Sequence, residues 1–124
     1  MPPRTILLVE DEPAVREVVA GILAHSGYEV LVAEDVDVAL AHAGSRRGEI
    51  DLLLSDVVMP DADGPEVSRR ISQLQPGLRV LFMSGYSEAA IAANGVLQPG
   101  AAFIQKPFSM ADLTDRVREL LASA

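Results

Sequence analysis

Short blocks of consecutive apolar residues alternate along the chain with stretches in which apolar positions recur every three or four residues. The first pattern marks strands buried on both faces, the second helices with one face inward. Thr5-Ile6-Leu7-Leu8-Val9 reads as a strand that stops at acid, and Val15, Val18, Val19, Ile22 and Leu23 then trace one helix face. Asp11 is a candidate cap for that helix, Pro13 suits its first turn and Gly27 lies just past its end. Residues 29–33 predict a second strand, Val36, Leu40 and Ala43 a weaker helix closed by Gly44, and residues 50–55 a third strand. Residues 66–74 read as a helix with Val67, Ile71 and Leu74 inward, stopped by Pro76-Gly77, and residues 78–83 as a fourth strand. Between residues 87 and 97 the helical pattern is interrupted by Asn94-Gly95 and closed by Pro99-Gly100, so a short or frayed helix is expected. A fifth strand over residues 102–105 precedes a last helix over residues 109–122. There Ser109 and Asp112 have capping-box spacing, and Leu113, Val117, Leu120 and Leu121 face inward.

Five strands alternating with five helices predict an α/β domain whose parallel sheet is covered on both faces. At 124 residues the chain has room for one core, and a single domain over residues 1–124 with no output domain is expected. Its apolar runs fall far short of the roughly 20 residues needed to cross a bilayer, so no membrane segment is expected. The absence of cysteine removes disulfide and thiolate-metal chemistry and leaves a cytoplasmic setting as the expectation. With 10 Lys plus Arg against 18 Asp plus Glu, the net charge of -8 opposes a phosphate backbone, and no nucleic-acid binding is expected. The imbalance is local. Residues 1–66 hold 14 acids and 4 basic residues, residues 67–124 hold 4 acids and 6 basic residues, and Lys106 is the single lysine.

In open α/β sheets, ligands bind beyond the carboxyl ends of the strands. Past those ends stand Glu10-Asp11-Glu12, Glu34-Asp35, Asp56, Ser84-Gly85 and Lys106-Pro107, in strand order, with Asp35 suited to capping the next helix. Clustered carboxylates repel one another. A hard divalent cation such as Mg²⁺, which takes carboxylate and backbone oxygens, removes that penalty. A carboxylate can also accept a phosphoryl group, whose oxygens a hydroxyl, a lysine and Mg²⁺ together neutralise. Taken singly, each segment has a plain structural reading: acids favoured at a helix start, an Asx turn at Asp56, a turn at Ser84-Gly85, a surface cation at Lys106. Asp61 and Asp63 read as solvated or capping residues, and His25 and His42 as surface histidines.

In this order and spacing the segments resemble the receiver domain of two-component response regulators. Leu7-Leu8-Val9-Glu10-Asp11-Glu12-Pro13 is similar to that family's opening motif, and Ser55-Asp56-Val57-Val58-Met59-Pro60 with Asp63-Gly64 to its phosphoacceptor segment. Met83-Ser84-Gly85 is similar to its hydroxyl segment and Gln105-Lys106-Pro107-Phe108 to its lysine segment. The resemblance covers the whole chain and implies a flavodoxin-like doubly wound five-stranded parallel sheet, order 2-1-3-4-5, with five helices. It implies that Asp56 is the phosphoacceptor, and that Asp11, Asp56 and the Val58 backbone carbonyl hold Mg²⁺ with Glu10 assisting through water. Ser84 and Lys106 would bind the phosphoryl oxygens. Ser84 and Phe103 are the implied switch pair, standing where Thr and Tyr are more frequent: as Ser84 moves toward the phosphoryl group, Phe103 turns inward and reshapes the face of the fourth helix, fifth strand and last helix. Lys106-Pro107 would be a cis peptide. Val58 and Tyr86 occupy the two positions through which members vary in hydrolysis rate. Met83-Ser84-Gly85-Tyr86 with Leu97-Gln98-Pro99-Gly100 most resembles receivers of hybrid histidine kinases.

The implied function is a phosphoryl-accepting switch of a phosphorelay that catalyses only its own phosphorylation and dephosphorylation. Its implied partners are a histidine kinase or histidine phosphotransfer protein, with a second copy of the chain on phosphorylation as a further candidate. Two other functions share elements of the pattern. A Mg-dependent phosphohydrolase with an aspartyl-phosphate intermediate, of the haloacid type, sets nucleophile and acid two residues apart after the first strand. Here the candidate nucleophile follows the third strand and Val58 stands two residues past it. A flavin-binding module needs a hydroxyl- and glycine-rich loop after the first strand to cradle phosphate, where Glu10-Asp11-Glu12-Pro13 would repel it.

Overall fold

Strand β1, Thr5–Val9, is buried along its whole length, as a central strand covered on both faces must be. A computed structural model describes residues 3–58, 63–85, 87, 90, 97 and 101–122. After β1 come α1 (Pro13–His25), β2 (Glu29–Ala33), α2 (Val36–Ser45), β3 (Leu52–Asp56), α3 (Gly64–Ser72), β4 (Arg79–Ser84), β5 (Phe103–Gln105) and α4 (Met110–Ala122). The five strands form one parallel sheet in the order β2-β1-β3-β4-β5, the flavodoxin-like order expected. Among the described residues there are four helices, not the five expected. The helix anticipated between residues 87 and 97 falls on a stretch that lies almost wholly outside the described residues.

Alternation along the strands divides the core in two. Ile6, Leu8, Leu52, Leu54, Leu81, Met83 and Ile104 pack against Val19 and Leu23 of α1 and Leu113, Val117 and Leu121 of α4. Leu7, Val9 and Leu53 point the other way, against Val36, Ala39 and Ala43 of α2 and Val67 and Ile71 of α3. Every one of these side chains is buried, which is why the strands read as continuous apolar runs.

Local signals set several helix starts. Asp35 accepts from Val38 N–H at 2.9 Å and Asp63 from Glu66 N–H at 2.8 Å, both as N-caps. Ser109 Oγ accepts from Asp112 N–H while Asp112 Oδ2 accepts from Ser109 N–H, the reciprocal capping box. Other boundaries differ from expectation. Asp11 does not cap α1: Glu12 holds that position without a side-chain cap bond, and its N–H is already taken by Glu10 Oε1. Helix α2 runs through Gly44 to Ser45 and ends at Arg46, and the positive φ in the turn that follows falls at Gly48, at 74°. Strand β3 starts at Leu52 because the Ile50 N–H is drawn to the buried Gln75 side chain, and it extends to include Asp56. The Lys106-Pro107 peptide is cis, as expected.

Candidate functional site

Four side chains meet at the carboxyl edge of the sheet. Glu10 follows β1, its N–H continuing the ladder to Ala33 O at 3.1 Å, and its side chain is only 1% exposed. Asp56 is the last residue of β3, with its side chain 14% exposed. Lys106 follows β5, its N–H donating to Ser84 O at 2.7 Å. From there its Nζ donates to Glu10 Oε2 at 3.0 Å and Asp56 Oδ2 at 3.2 Å. Asp11, exposed at the start of the loop into α1, completes the group: one carboxylate oxygen each from Glu10, Asp11 and Asp56 lies within 4.8 Å of the others.

Burial pushes the Glu10 carboxyl above its ordinary range, opposed by the Lys106 hydrogen bond and the Glu12 N–H and reinforced by the charge on Asp56. For Lys106 burial acts downward, but the hydrogen bond to Glu10 and the charges of Asp56 and Glu10 prevail and hold the ammonium above its ordinary range. The geometry is that of a salt bridge in a half-buried setting, Lys106 Nζ facing both Glu10 and Asp56. The site's three carboxylates offer only hard oxygen donors, the set a hard divalent cation selects.

The other sequence-derived candidates stand at neighbouring positions. Ser84, buried at the end of β4, is in register with Gln105, and Phe103, half-buried at the start of β5, is in register with Phe82. Val58 is exposed and bridges to Asp63 in antiparallel fashion across the loop after β3. Tyr86 lies outside the described residues.

Three residues acquire roles that the sequence did not reveal. Gly64 donates its N–H to Val57 O at 2.7 Å, and a Cβ there would stand 2.5 Å from Asp56 O and 3.0 Å from the Phe82 ring. Gln75 is fully buried, accepting from Ile50 N–H and donating to Ala43 O and Arg46 O, so it ties the segment leading into β3 to the end of α2. Arg16 of α1 donates from Nη1 to Glu10 O at 2.9 Å. Only Gly64 had a signal in the sequence, its place beside Asp63 in the quoted motif.

The sequence pattern of the response regulator receiver domain matches residues 6–118. The chain belongs to this family. The receiver is 41% identical over 117 residues to the sensor kinase CckA of Brucella abortus (strain 2308), a match covering 94% of this chain and 12% of CckA. It is 31% identical over 121 residues to the response regulator receiver protein CpdR of the same organism, covering 98% of this chain and 99% of CpdR. The crystal structure of the receiver domain from the hybrid histidine kinase CckA superimposes with a TM-score of 0.81 at 41% identity, covering 94% of this chain and 98% of that one. TrrA from Thermotoga maritima, solved in complex with Mg²⁺-BeF, superimposes with a TM-score of 0.76 at 29% identity, covering 94% and 98%. The receiver is therefore a two-component signalling module rather than a turnover enzyme. Among its described residues no helix is long and apolar enough to cross a membrane.

Proposed function

We propose that this receiver accepts a phosphoryl group on Asp56 from a phosphohistidine of a histidine kinase or phosphotransfer protein. The observation that carries the reading is the convergence of three carboxylates and the single lysine at the ends of β1, β3 and β5. An Asp56 oxygen attacks phosphorus, the P–N bond breaks, and its electron pair stays on the imidazole, which then takes up a proton. Lys106, already within hydrogen-bond reach of Asp56 Oδ2, is placed to pair with a phosphoryl oxygen, and Ser84 at the adjacent strand end supplies a hydroxyl. Asp11, Asp56 and the Val58 carbonyl would hold Mg²⁺, with Glu10 acting through water. Bound there, Mg²⁺ neutralises charge that gathers on the transferred oxygens. The Mg²⁺-BeF complex of TrrA supports that assignment.

A groove of about 570 Å³ beside Lys106, lined by Ala14, Val15, Val18, Val19, Pro107 and Phe108, supports a protein donor. Its apolar wall gives a helix that carries the phosphohistidine a surface to bury next to Asp56. Displacement of Ser84 toward the phosphoryl group and rotation of Phe103 would carry the signal to partner proteins, and the cysteine-free composition fits a cytoplasmic setting. Incubation with Mg²⁺ and a small acyl phosphate should add one phosphate by intact mass. An Asp56→Asn variant that still gained it would overturn the assignment.

A further inference from the structure

We infer that Arg16 is a positioning residue for the cation site: it grips the peptide between Glu10 and Asp11 and so sets the direction in which the Asp11 side chain leaves the main chain. The inference rests on the reading of Glu10, Asp11 and Asp56 as a Mg²⁺ site. Arg16 sits in the first turn of α1, its own N–H bonded to Glu12 O at 2.9 Å, and its side chain folds back so that Nη1 meets Glu10 O at 2.9 Å. Although Glu12 and Glu17 are near in sequence, Arg16 forms no ion pair among the described residues. A half-buried guanidinium that takes a main-chain carbonyl in place of a carboxylate is committed to holding backbone.

What it holds is one plane. The Glu10 carbonyl and the Asp11 N–H belong to the same rigid peptide, so fixing the carbonyl fixes the orientation of the Asp11 amide as well. The rest of this turn is secured from within or from β2, by Glu10 N–H to Ala33 O and Glu12 N–H to Glu10 Oε1. Arg16 is the clasp from the helix side. A cation so close to a cation site repels Mg²⁺, so charge alone predicts tighter binding once Arg16 is removed, whereas positioning predicts weaker binding. The opposite signs make the roles separable.

The experiment is calorimetric titration of Mg²⁺ into the full chain at a temperature where circular dichroism shows each variant folded. Arg16→Met should weaken Mg²⁺ affinity about tenfold, the low end of the range for groups that orient metal ligands from behind. Arg16→Lys, which keeps one N–H donor able to reach the Glu10 carbonyl, should recover most of that loss, and Arg69→Met on α3 should change nothing. Unchanged or tighter binding in Arg16→Met, or no recovery in Arg16→Lys, overturns the inference. Asp56→Asn is titrated in parallel. If wild type takes up no Mg²⁺, the site reading fails with the inference. If uptake is lost in Asp56→Asn but intact in Arg16→Met, the role of Arg16 alone is refuted.

Discussion

Lys106 and Glu10, 96 residues apart in the chain, are joined by a 3.0 Å bond from Nζ to Oε2 that closes the carboxyl edge of the sheet. Glu10 is the buried member, so its charge depends on that ammonium. Replacing Lys106 with Met should lower the unfolding free energy of the metal-free protein by about 2 kcal/mol at neutral pH, because a buried carboxylate is left uncompensated. The raised Glu10 pKa fixes how this varies. As pH falls toward the ordinary glutamate value of 4.5, Glu10 takes up a proton in the folded state and the deficit should shrink. Urea denaturation of both proteins at pH 7 and pH 5 measures it, and an equal deficit at both would assign the loss to packing.

Gly64 tests how closely α3 approaches the strand that ends at Asp56. The Cβ of Gly64→Ala would meet main-chain oxygen of Asp56 at 2.5 Å, an atom that cannot swing aside. The expected outcome is a loss of about 1–3 kcal/mol, typical of overpacking, together with slower phosphorylation by a small acyl phosphate as Asp56 is displaced. Thermal unfolding and intact mass against time report the two effects. Lost stability with an unaltered phosphorylation rate would show that the strand does not move.

Val18 offers a test of the proposed donor surface that is separate from the chemistry. Its side chain is 62% exposed on the wall of the groove beside Lys106, so an acid there should fold normally. Val18→Asp should slow transfer from a phosphohistidine donor about tenfold, on the order of 1.4 kcal/mol of docking energy, while uptake from a small acyl phosphate stays unchanged. Equal slowing with both donors would place Val18 in the chemistry rather than in docking.

At the opposite edge of the sheet, Glu29 accepts hydrogen bonds from Arg46 and from the Thr5 hydroxyl, and these hold its carboxyl below its ordinary range. A depressed acid stabilises the fold above its unfolded value, near 4.5, and the benefit is lost as pH falls through the folded value. Stability curves of wild type and Glu29→Gln should therefore converge on acidification below pH 4.5 and differ above it. Curves that stay parallel through that window would exclude the linkage.

The sequence was legible where a residue's role is local. The apolar runs named every strand, and Asp35, Asp63 and the Ser109–Asp112 pair could be read as caps because a cap bonds a neighbour within three positions. The edge cluster was legible for a different reason: Glu10, Asp11, Asp56 and Lys106 each sit just at a strand end, and parallel order brings those ends together. Asp11 is not the cap that its place beside a helix start suggested, because the chain enters α1 one residue later, with Glu12 at the N-cap. Gln75 and Arg16 stayed hidden because their acceptors include main-chain carbonyls, which leave no trace in sequence. Strand β3 began late for the same cause, its Ile50 N–H captured by a side chain 25 residues away.

Because successive strand residues face opposite ways, the sheet also sorts the site. Glu10 and Asp56 extend the rows of Ile6-Leu8 and Leu52-Leu54 toward α1 and α4, and Lys106 extends that of Ile104, with main-chain bonds from Glu10 N–H and Lys106 N–H carrying the ladder one residue past the strands. Ser84 falls in the opposite row, with Val80 on the side of α2 and α3 and Phe82, whose ring meets Gly64. The rim is a seam between two separately filled halves of the molecule. A group gripped by Lys106 and Ser84 at once would stitch that seam and couple the packing of the two halves.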